Sequence, residues 1–147
     1  MAAELHAFFD RDVFIKLACC DLWDDALKAL DVTHPYRLAS ATGSKTPLKR
    51  MDISDSLREV TKARLAKMAA QVPVVPEHWV SAALTTDLYN TMIAIDNIDG
   101  GEAELAIVAM HCEYDNKLIS GDKRFMTAMA AAFPKEFERL RPVLISF

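Results

Sequence analysis

Cysteine is scarce in this chain, and its arrangement excludes two common structural devices. Only three cysteines occur, Cys19, Cys20 and Cys112, and two of them are adjacent. An odd count without C-x-x-C spacing argues against a disulfide framework and against a zinc site. The pattern is typical of a reducing intracellular compartment, so we expect a cytoplasmic protein.

Long apolar runs are also missing. The opening residues, MAAELHAFFDRDVF, are acidic and contain no apolar stretch of signal-peptide length. No segment approaches the roughly 18 apolar residues that cross a bilayer. We therefore expect a protein without a membrane segment.

Several signatures of catalysis and nucleotide binding are absent as well. The chain has no G-x-S-x-G elbow and no Walker loop. Gly100-Gly101 is too short to cradle a phosphate alone, and a tight turn into a helix explains it. The histidines show no spacing typical of metal ligands; they are His6, His34, His78 and His111.

The composition that remains predicts a globular protein with an uneven charge distribution. A length of 147 residues and 52% hydrophobic content are typical of a single domain, here residues 1–147. The net charge is −4, yet Arg37 to Lys67 holds eight basic residues and three acidic ones. Such a basic segment on an acidic body can still bind phosphate groups.

Hydrophobic periodicity predicts strands that alternate with helices. The predicted strands are Leu5–Phe9, Tyr36–Ser40, Lys117–Ser120 and Val143–Phe147. The predicted helices are Val13–Leu30, Ser54–Gln71, Glu77–Ile95, one that begins at Glu102, and Lys123–Phe133. This order predicts an α/β protein, a three-layer α/β/α sandwich around a central parallel sheet of four or five strands.

Acidic residues stand where predicted strands lead into helices. Asp10 and Asp122 each follow a strand, and Glu102 opens a helix after Asp99-Gly-Gly. In a parallel sheet such corners lie along the carboxyl edge, where ligands bind, so the three carboxylates should converge. Close carboxylates repel one another, and Mg²⁺ or Mn²⁺ with oxygen ligands is the usual resolution.

Each of these acids also has a structural interpretation. Asp10 and Asp122 are suited to cap the helices that follow them, and Asp12 could cap the first helix instead. Asp99 and Glu102 have capping-box spacing, and Asp99 could also approach the metal. The joint placement of the acids, rather than any single residue, favours a metal site.

With these residues considered, the chain resembles the PIN-domain family of metal-dependent ribonucleases. Phe8–Ala18 (FFDRDVFIKLA) is similar to the family's opening strand and aspartate, and Ile98–Ala109 (IDGGEAELAIVA) to its Gly-Glu helix start. Leu118–Phe125 (LISGDKRF) is similar to its Thr-x-Asp corner, with Ser120 in the hydroxyl position. The resemblance implies Mg²⁺ or Mn²⁺ and cleavage of RNA. It also implies a possible antitoxin protein as partner and a possible homodimer.

The resemblance assigns roles to particular residues. Asp10, Glu102 and Asp122 are the expected metal ligands and catalytic residues, supported by Asp12, Asp99 and Ser120. Three basic residues are candidates to hold the substrate's phosphate backbone, namely Lys45, Lys49 and Arg50.

Two departures from the family pattern leave alternatives open. Asp12 stands where the family usually has Asn, and Ala41–Met51 lacks the acid that the family tends to place on its second helix. The Asp-x-Asp of FFDRDVF also fits a haloacid-dehalogenase-type phosphohydrolase. Against this alternative, Phe14 stands where such enzymes usually have Thr or Val. The missing acid is compatible with a non-catalytic PIN-like binding or regulatory module.

Overall fold

Four parallel strands form the centre of the computed structural model, which describes residues 3–41 and 47–146. The strands are β1 (His6–Phe9), β2 (His34–Arg37), β3 (Asn116–Ser120) and β4 (Leu144–Ser146). Their order is β2-β1-β3-β4, and each neighbouring pair is parallel. The predicted parallel sheet is therefore confirmed, with four strands in the described residues.

The described helices all fall between successive strands of the chain. They are α1 (Arg11–Cys19), α2 (Trp23–Ala29), α3 (Asp55–Gln71), α4 (Glu77–Leu84), α5 (Asp87–Ile93), α6 (Gly100–His111), α7 (Lys123–Ala132) and α8 (Pro134–Leu140). Short 3-10 turns cover Ala39–Ala41, Pro47–Arg50 and Arg141–Val143. No helix in the described ranges combines the length and the apolar content needed to cross a bilayer.

Alternation along the strands divides the interior into two cores. Phe8 and Leu118 pack in one core with α4, α5, α6 and α7, while Phe9 and Ile119 pack in the other with α1 and α3. Successive side chains of a strand point to opposite faces, so a sheet that is apolar on both faces needs helices on both. The predicted α/β/α sandwich is confirmed.

The predicted helix Val13–Leu30 is wrong, because the chain breaks between α1 and α2. Asp21 has a left-handed backbone with φ 56°. Its N–H reaches the Ala18 carbonyl at 3.3 Å, and the Leu22 N–H reaches the Leu17 carbonyl at 2.9 Å. This is a Schellman motif, in which one left-handed residue ends a helix. Hydrophobic spacing continues across the break and conceals it.

Three further boundaries differ from prediction. Glu77–Ile95 is two helices, because the Thr86 side chain caps a new helix by accepting from the Tyr89 N–H. Pro134 begins α8 as well as ending α7, since proline suits the first helical turn. Strand β2 begins at His34 and includes Pro35, which is tolerated because β2 is an edge strand.

A second Schellman motif, at the end of α2, gives a stability prediction. Asp31 has φ 55°, a conformation that glycine adopts without steric cost. We expect Asp31→Gly to raise the free energy of unfolding by about 0.5–1 kcal/mol in urea denaturation. Asp25→Gly, inside the first turn of α2, is the opposite control and should destabilise the protein by about 1 kcal/mol. Destabilisation by both variants would contradict the expectation.

Candidate functional site

The ends of β1 and β3 place Asp10 beside Ser120. The register pairs Phe9 with Ile119, and the Asp10 N–H donates to the Ile119 carbonyl at 3.0 Å. Ser120 Oγ donates to Asp10 Oδ2 at 3.2 Å, and the Arg11 N–H donates to Oδ1 at 2.8 Å. Asp10 and Ser120 are both buried. The Asp10 carboxylate is thus oriented from two sides.

Glu102 reaches the same region from the first turn of α6. Its N–H donates to Asp99 Oδ1 at 2.8 Å, and the Asp99 N–H donates to Glu102 Oε1 at 3.1 Å. The predicted capping box is therefore present. Capping occupies only one carboxylate oxygen of Glu102. The other, Oε2, is buried and has no hydrogen-bond partner.

One cavity of about 330 Å³ joins these carboxylates. It is lined by the five predicted acids Asp10, Asp12, Asp99, Glu102 and Asp122, together with Arg11, Leu38, Ser40, Gly100 and Gly101. Asp122 also caps α7, where its Oδ1 accepts from the backbone N–H groups of Arg124 and Phe125. Capping and cavity lining therefore coexist in the same residues.

The two glycines at the start of α6 are required because a side chain would lie too close to neighbouring residues, not because of their backbone conformation. No glycine in the described part of the chain has a positive φ. A Cβ on Gly101 would lie 2.9 Å from Leu38 Cδ1, and one on Gly100 would lie 3.1 Å from the Tyr89 hydroxyl. The glycines let α6 begin close to its neighbours at the cavity wall. The tight-turn interpretation is corrected accordingly.

Burial and mutual repulsion raise the pKa values of the two innermost acids. Burial raises the pKa of Glu102 to about 9, and the charges of Asp99, Asp122 and Asp10 act in the same direction. Burial likewise raises the pKa of Asp10 to about 6, opposed by the Arg11 N–H and reinforced by Asp12 and Asp99. Metal-free Glu102 is therefore protonated at neutral pH.

The oxygen donors of this cavity fit a hard divalent cation. Every acidic side chain in the lining offers carboxylate oxygen, the ligand that Mg²⁺ and Mn²⁺ prefer. A buried polar atom without a partner is costly, and Glu102 Oε2 is such an atom. A cation would both pair with this oxygen and offset the repulsion that raises the pKa of Glu102.

The predicted basic residues are placed differently from the acids. Lys45 lies outside the described residues. Lys49 and Arg50 are exposed on the Pro47–Arg50 turn and are not part of the cavity lining. Arg11 does line the cavity, and Arg124 lines an adjoining one of about 260 Å³ with Asp99, Glu102 and Asp122. Both arginines follow a predicted acid within two positions, a signal that sequence reasoning missed.

The basic face of α3 is used largely for internal contacts. Arg58 donates to the carbonyls of Leu48, Met51 and Ile53 and pairs with Asp55 at 2.7 Å. Arg64 donates to the Ala18 and Cys19 carbonyls at the end of α1. These contacts hold α3 in place, so part of the positive charge between Arg37 and Lys67 serves packing.

A second group of potential ligands lies at the amino edge of the sheet. In the described ranges, only Glu4, His6 and His34 bring three potential ligand atoms within 4.8 Å of one another. Burial lowers the pKa of His6, and the charge of His34 adds to this effect while Glu4 opposes it. Sequence spacing did not reveal this group, because it depends on the register that pairs His6 with His34.

The chain matches no family model, no curated protein and no solved structure. The function of the chain is therefore inferred from the geometry of its own residues.

Proposed function

We propose that the chain is a divalent-metal-dependent ribonuclease that hydrolyses RNA phosphodiester bonds, as the resemblance to PIN domains implies. One observation carries the proposal: five acids from three separate parts of the chain line one cavity, and Glu102 Oε2 is buried there without a partner. An acidic cavity of this kind needs a cation before it can accept a polyanion.

The proposed cation ligands are Asp10, Glu102 and Asp122. A bound Mg²⁺ or Mn²⁺ lowers the pKa of water and offsets charge on phosphate oxygens, which is the chemistry that phosphodiester hydrolysis requires. Ser120 and the Arg11 N–H fix the Asp10 carboxylate, and Asp99 fixes Oε1 of Glu102. These hydrogen bonds orient two of the three ligands. The three carboxylates do not bring their oxygens within 4.8 Å of one another, so their side chains would have to close around the cation.

Two arginines are the proposed contacts for the phosphate backbone of the substrate. Arg11 and Arg124 belong to the walls of the two adjoining cavities. Arg124 is exposed, and Arg11 has only a loose ion pair of 3.8 Å with Asp12. Arginine binds phosphate through two parallel N–H donors, so these residues would hold the substrate without reading its bases. Replacing both by Gln should weaken RNA binding and reduce its dependence on salt concentration.

The direct test is cleavage of a labelled single-stranded RNA by the purified chain with Mn²⁺, followed by gel electrophoresis. We expect fragments with Mn²⁺ or Mg²⁺ and none after chelation with EDTA. Asp24→Asn, an exposed acid on α2 outside the cavity, is the control for a general loss of negative charge and should cleave normally. Cleavage that persists undiminished in EDTA would overturn the proposal.

Separate assays distinguish the alternatives. Release of phosphate from small phosphate esters, with an aspartyl-phosphate trapped on Asp10, would favour the haloacid-dehalogenase type. Absence of Mn²⁺ binding at millimolar concentration in calorimetry would favour a non-catalytic module. An antitoxin partner and a homodimer stay predictions of the resemblance, and co-purification and sedimentation would test them.

A further inference from the structure

The amino edge of the sheet carries a second cluster of ligand-type side chains, opposite the acidic cavity. His6 begins β1 and His34 begins β2, and the two are register partners in the parallel sheet. Their rings stack with centroids 4.5 Å apart, and Glu4 Oε2 lies 3.6 Å from His34 Nε2. The cluster therefore contains two imidazoles and one carboxylate from adjoining segments.

Backbone hydrogen bonds fix the segments that carry these side chains. The Leu5 carbonyl accepts from the N–H groups of Thr33 and His34, both at 3.0 Å. Thr33 Oγ1 in turn accepts from the Leu5 N–H at 2.8 Å. Leu5 lies between Glu4 and His6, so these bonds hold both residues against His34. Ligands on such paired segments are oriented in advance.

The His6 ring is held in one orientation and has an unsatisfied nitrogen. Its Nδ1 lies 2.9 Å from the Tyr36 hydroxyl, and its ring stacks on Tyr114 with centroids 4.5 Å apart. The residue is 6% exposed, and its Nε2 is buried without a hydrogen-bond partner. A hydrogen bond to one imidazole nitrogen that leaves the other unpaired is the usual arrangement of metal-binding histidine.

We propose that Glu4, His6 and His34 form a site for a transition metal of the Zn²⁺ type, separate from the acidic cavity. Two imidazoles and one carboxylate form a donor set that Zn²⁺ accepts, with a fourth position open to water or another ligand. Hard cations such as Mg²⁺ prefer oxygen donors, so the two sites should select different metals.

Metal binding requires the stacked rings of His6 and His34 to turn, because the ion must lie in the plane of each imidazole that binds it. Ligand atoms around Zn²⁺ lie about 2 Å from the ion and hence roughly 3.3 Å from one another. Here they lie within 4.8 Å of one another. The side chains of His34 and Glu4 are 42% and 70% exposed, so these two ligands have room on the solvent side to move toward His6.

The test measures Zn²⁺ affinity by calorimetry on the full chain in millimolar Mg²⁺, and repeats it with Co²⁺, whose visible absorption reports its ligands. We expect one Zn²⁺ per chain. His34→Ala should weaken binding by more than about tenfold. Tyr36→Phe, which keeps the aromatic ring but removes the hydroxyl that orients His6, should weaken it by about tenfold.

Matched variants separate this site from other positions. His78→Ala replaces an exposed histidine on α4, and Asp10→Asn disables the acidic cavity; both should bind Zn²⁺ like the wild type. Wild-type affinity in His34→Ala, loss of affinity in Asp10→Asn, or no Zn²⁺ binding at all would overturn the proposal. If His34→Ala does not fold, Glu4→Gln replaces it as the test, because Glu4 is exposed; this variant should also weaken Zn²⁺ binding.

Discussion

Replacing Glu102 by Gln is expected to abolish metal-dependent RNA cleavage while making the metal-free protein more stable. Gln keeps the shape of the side chain and can still accept from the Asp99 N–H, so the capping box persists. It removes the negative charge that a cation requires, and we expect cleavage to fall by at least about a hundredfold. Asp10→Asn should lose cleavage similarly.

The gain in stability follows from the same burial. Glu102 is 6% exposed, and its pKa is raised to about 9, so folding at neutral pH requires the residue to take up a proton. Gln carries no such requirement. We expect the free energy of unfolding of the metal-free variant to exceed that of the wild type by roughly 1–3 kcal/mol near pH 7. Urea denaturation in EDTA measures it.

Glu104→Gln is the matched control for this variant. Glu104 lies two residues further along α6, is half-buried, and has a pKa that burial raises, but it does not line either acidic cavity. It should keep full cleavage. Retention of cleavage by Glu102→Gln, or equal loss by Glu104→Gln, would contradict the assignment of Glu102 as a ligand.

The second large effect is a pH dependence of stability that a divalent cation removes. Between pH 4.5 and about 9, folded Glu102 retains a proton that the unfolded chain has released. Stability from this residue is therefore fully present below pH 4.5 and is lost as pH rises through that window. Asp10, raised from 3.8 to about 6, adds a loss of the same sign at lower pH.

The measurement is the difference in unfolding free energy between Glu102→Gln and the wild type from about pH 5 to about pH 8 in EDTA. The difference should widen by up to about 1.4 kcal/mol per pH unit, because other titrating groups cancel between the two proteins. A difference that stays constant with pH would show that Glu102 is ionised in the folded chain.

Mn²⁺ should reverse this trend in the wild type. On the proposed function the cation binds the ionised carboxylates and displaces their protons, so it should stabilise the protein more at pH 8 than at pH 5. A cation concentration about one hundred times its dissociation constant stabilises by roughly 2.7 kcal/mol. The thermal shift that Mn²⁺ causes should be largely absent in Glu102→Gln. An equal shift in both proteins would indicate that Mn²⁺ binds elsewhere.

The acidic positions could be predicted from sequence because they depend on local patterns. Asp10 and Asp122 each follow a short apolar strand, and parallel strands end at one edge whatever their order. The hydrogen bond from Ser120 to Asp10 depends on the register of β1 and β3, and this register cannot be read from the sequence. That these acids line one cavity was predictable, whereas the orientation of each carboxylate was not.

Other features depend on contacts that no single segment encodes. The break at Asp21 uses a left-handed aspartate where glycine is usual, so hydrophobic spacing predicted one helix. The pairing of His6 with His34 requires the order of the strands, and spacing along the chain gave no sign of it. Arg58 and Arg64 belong to the basic segment from Arg37 to Lys67, yet they donate to carbonyls outside α3.

The sheet order has a consequence for the synthesis of the protein. Strand β1 occupies a central position, but its neighbour β3 comes so late that the contact between Ser120 and Asp10 spans 110 residues. Pairing across such a separation is slow to form and cannot precede translation of the later strand. The nascent chain therefore holds its acids apart until Asp122 has left the ribosome, and no shortened fragment ending before β3 can assemble the pocket.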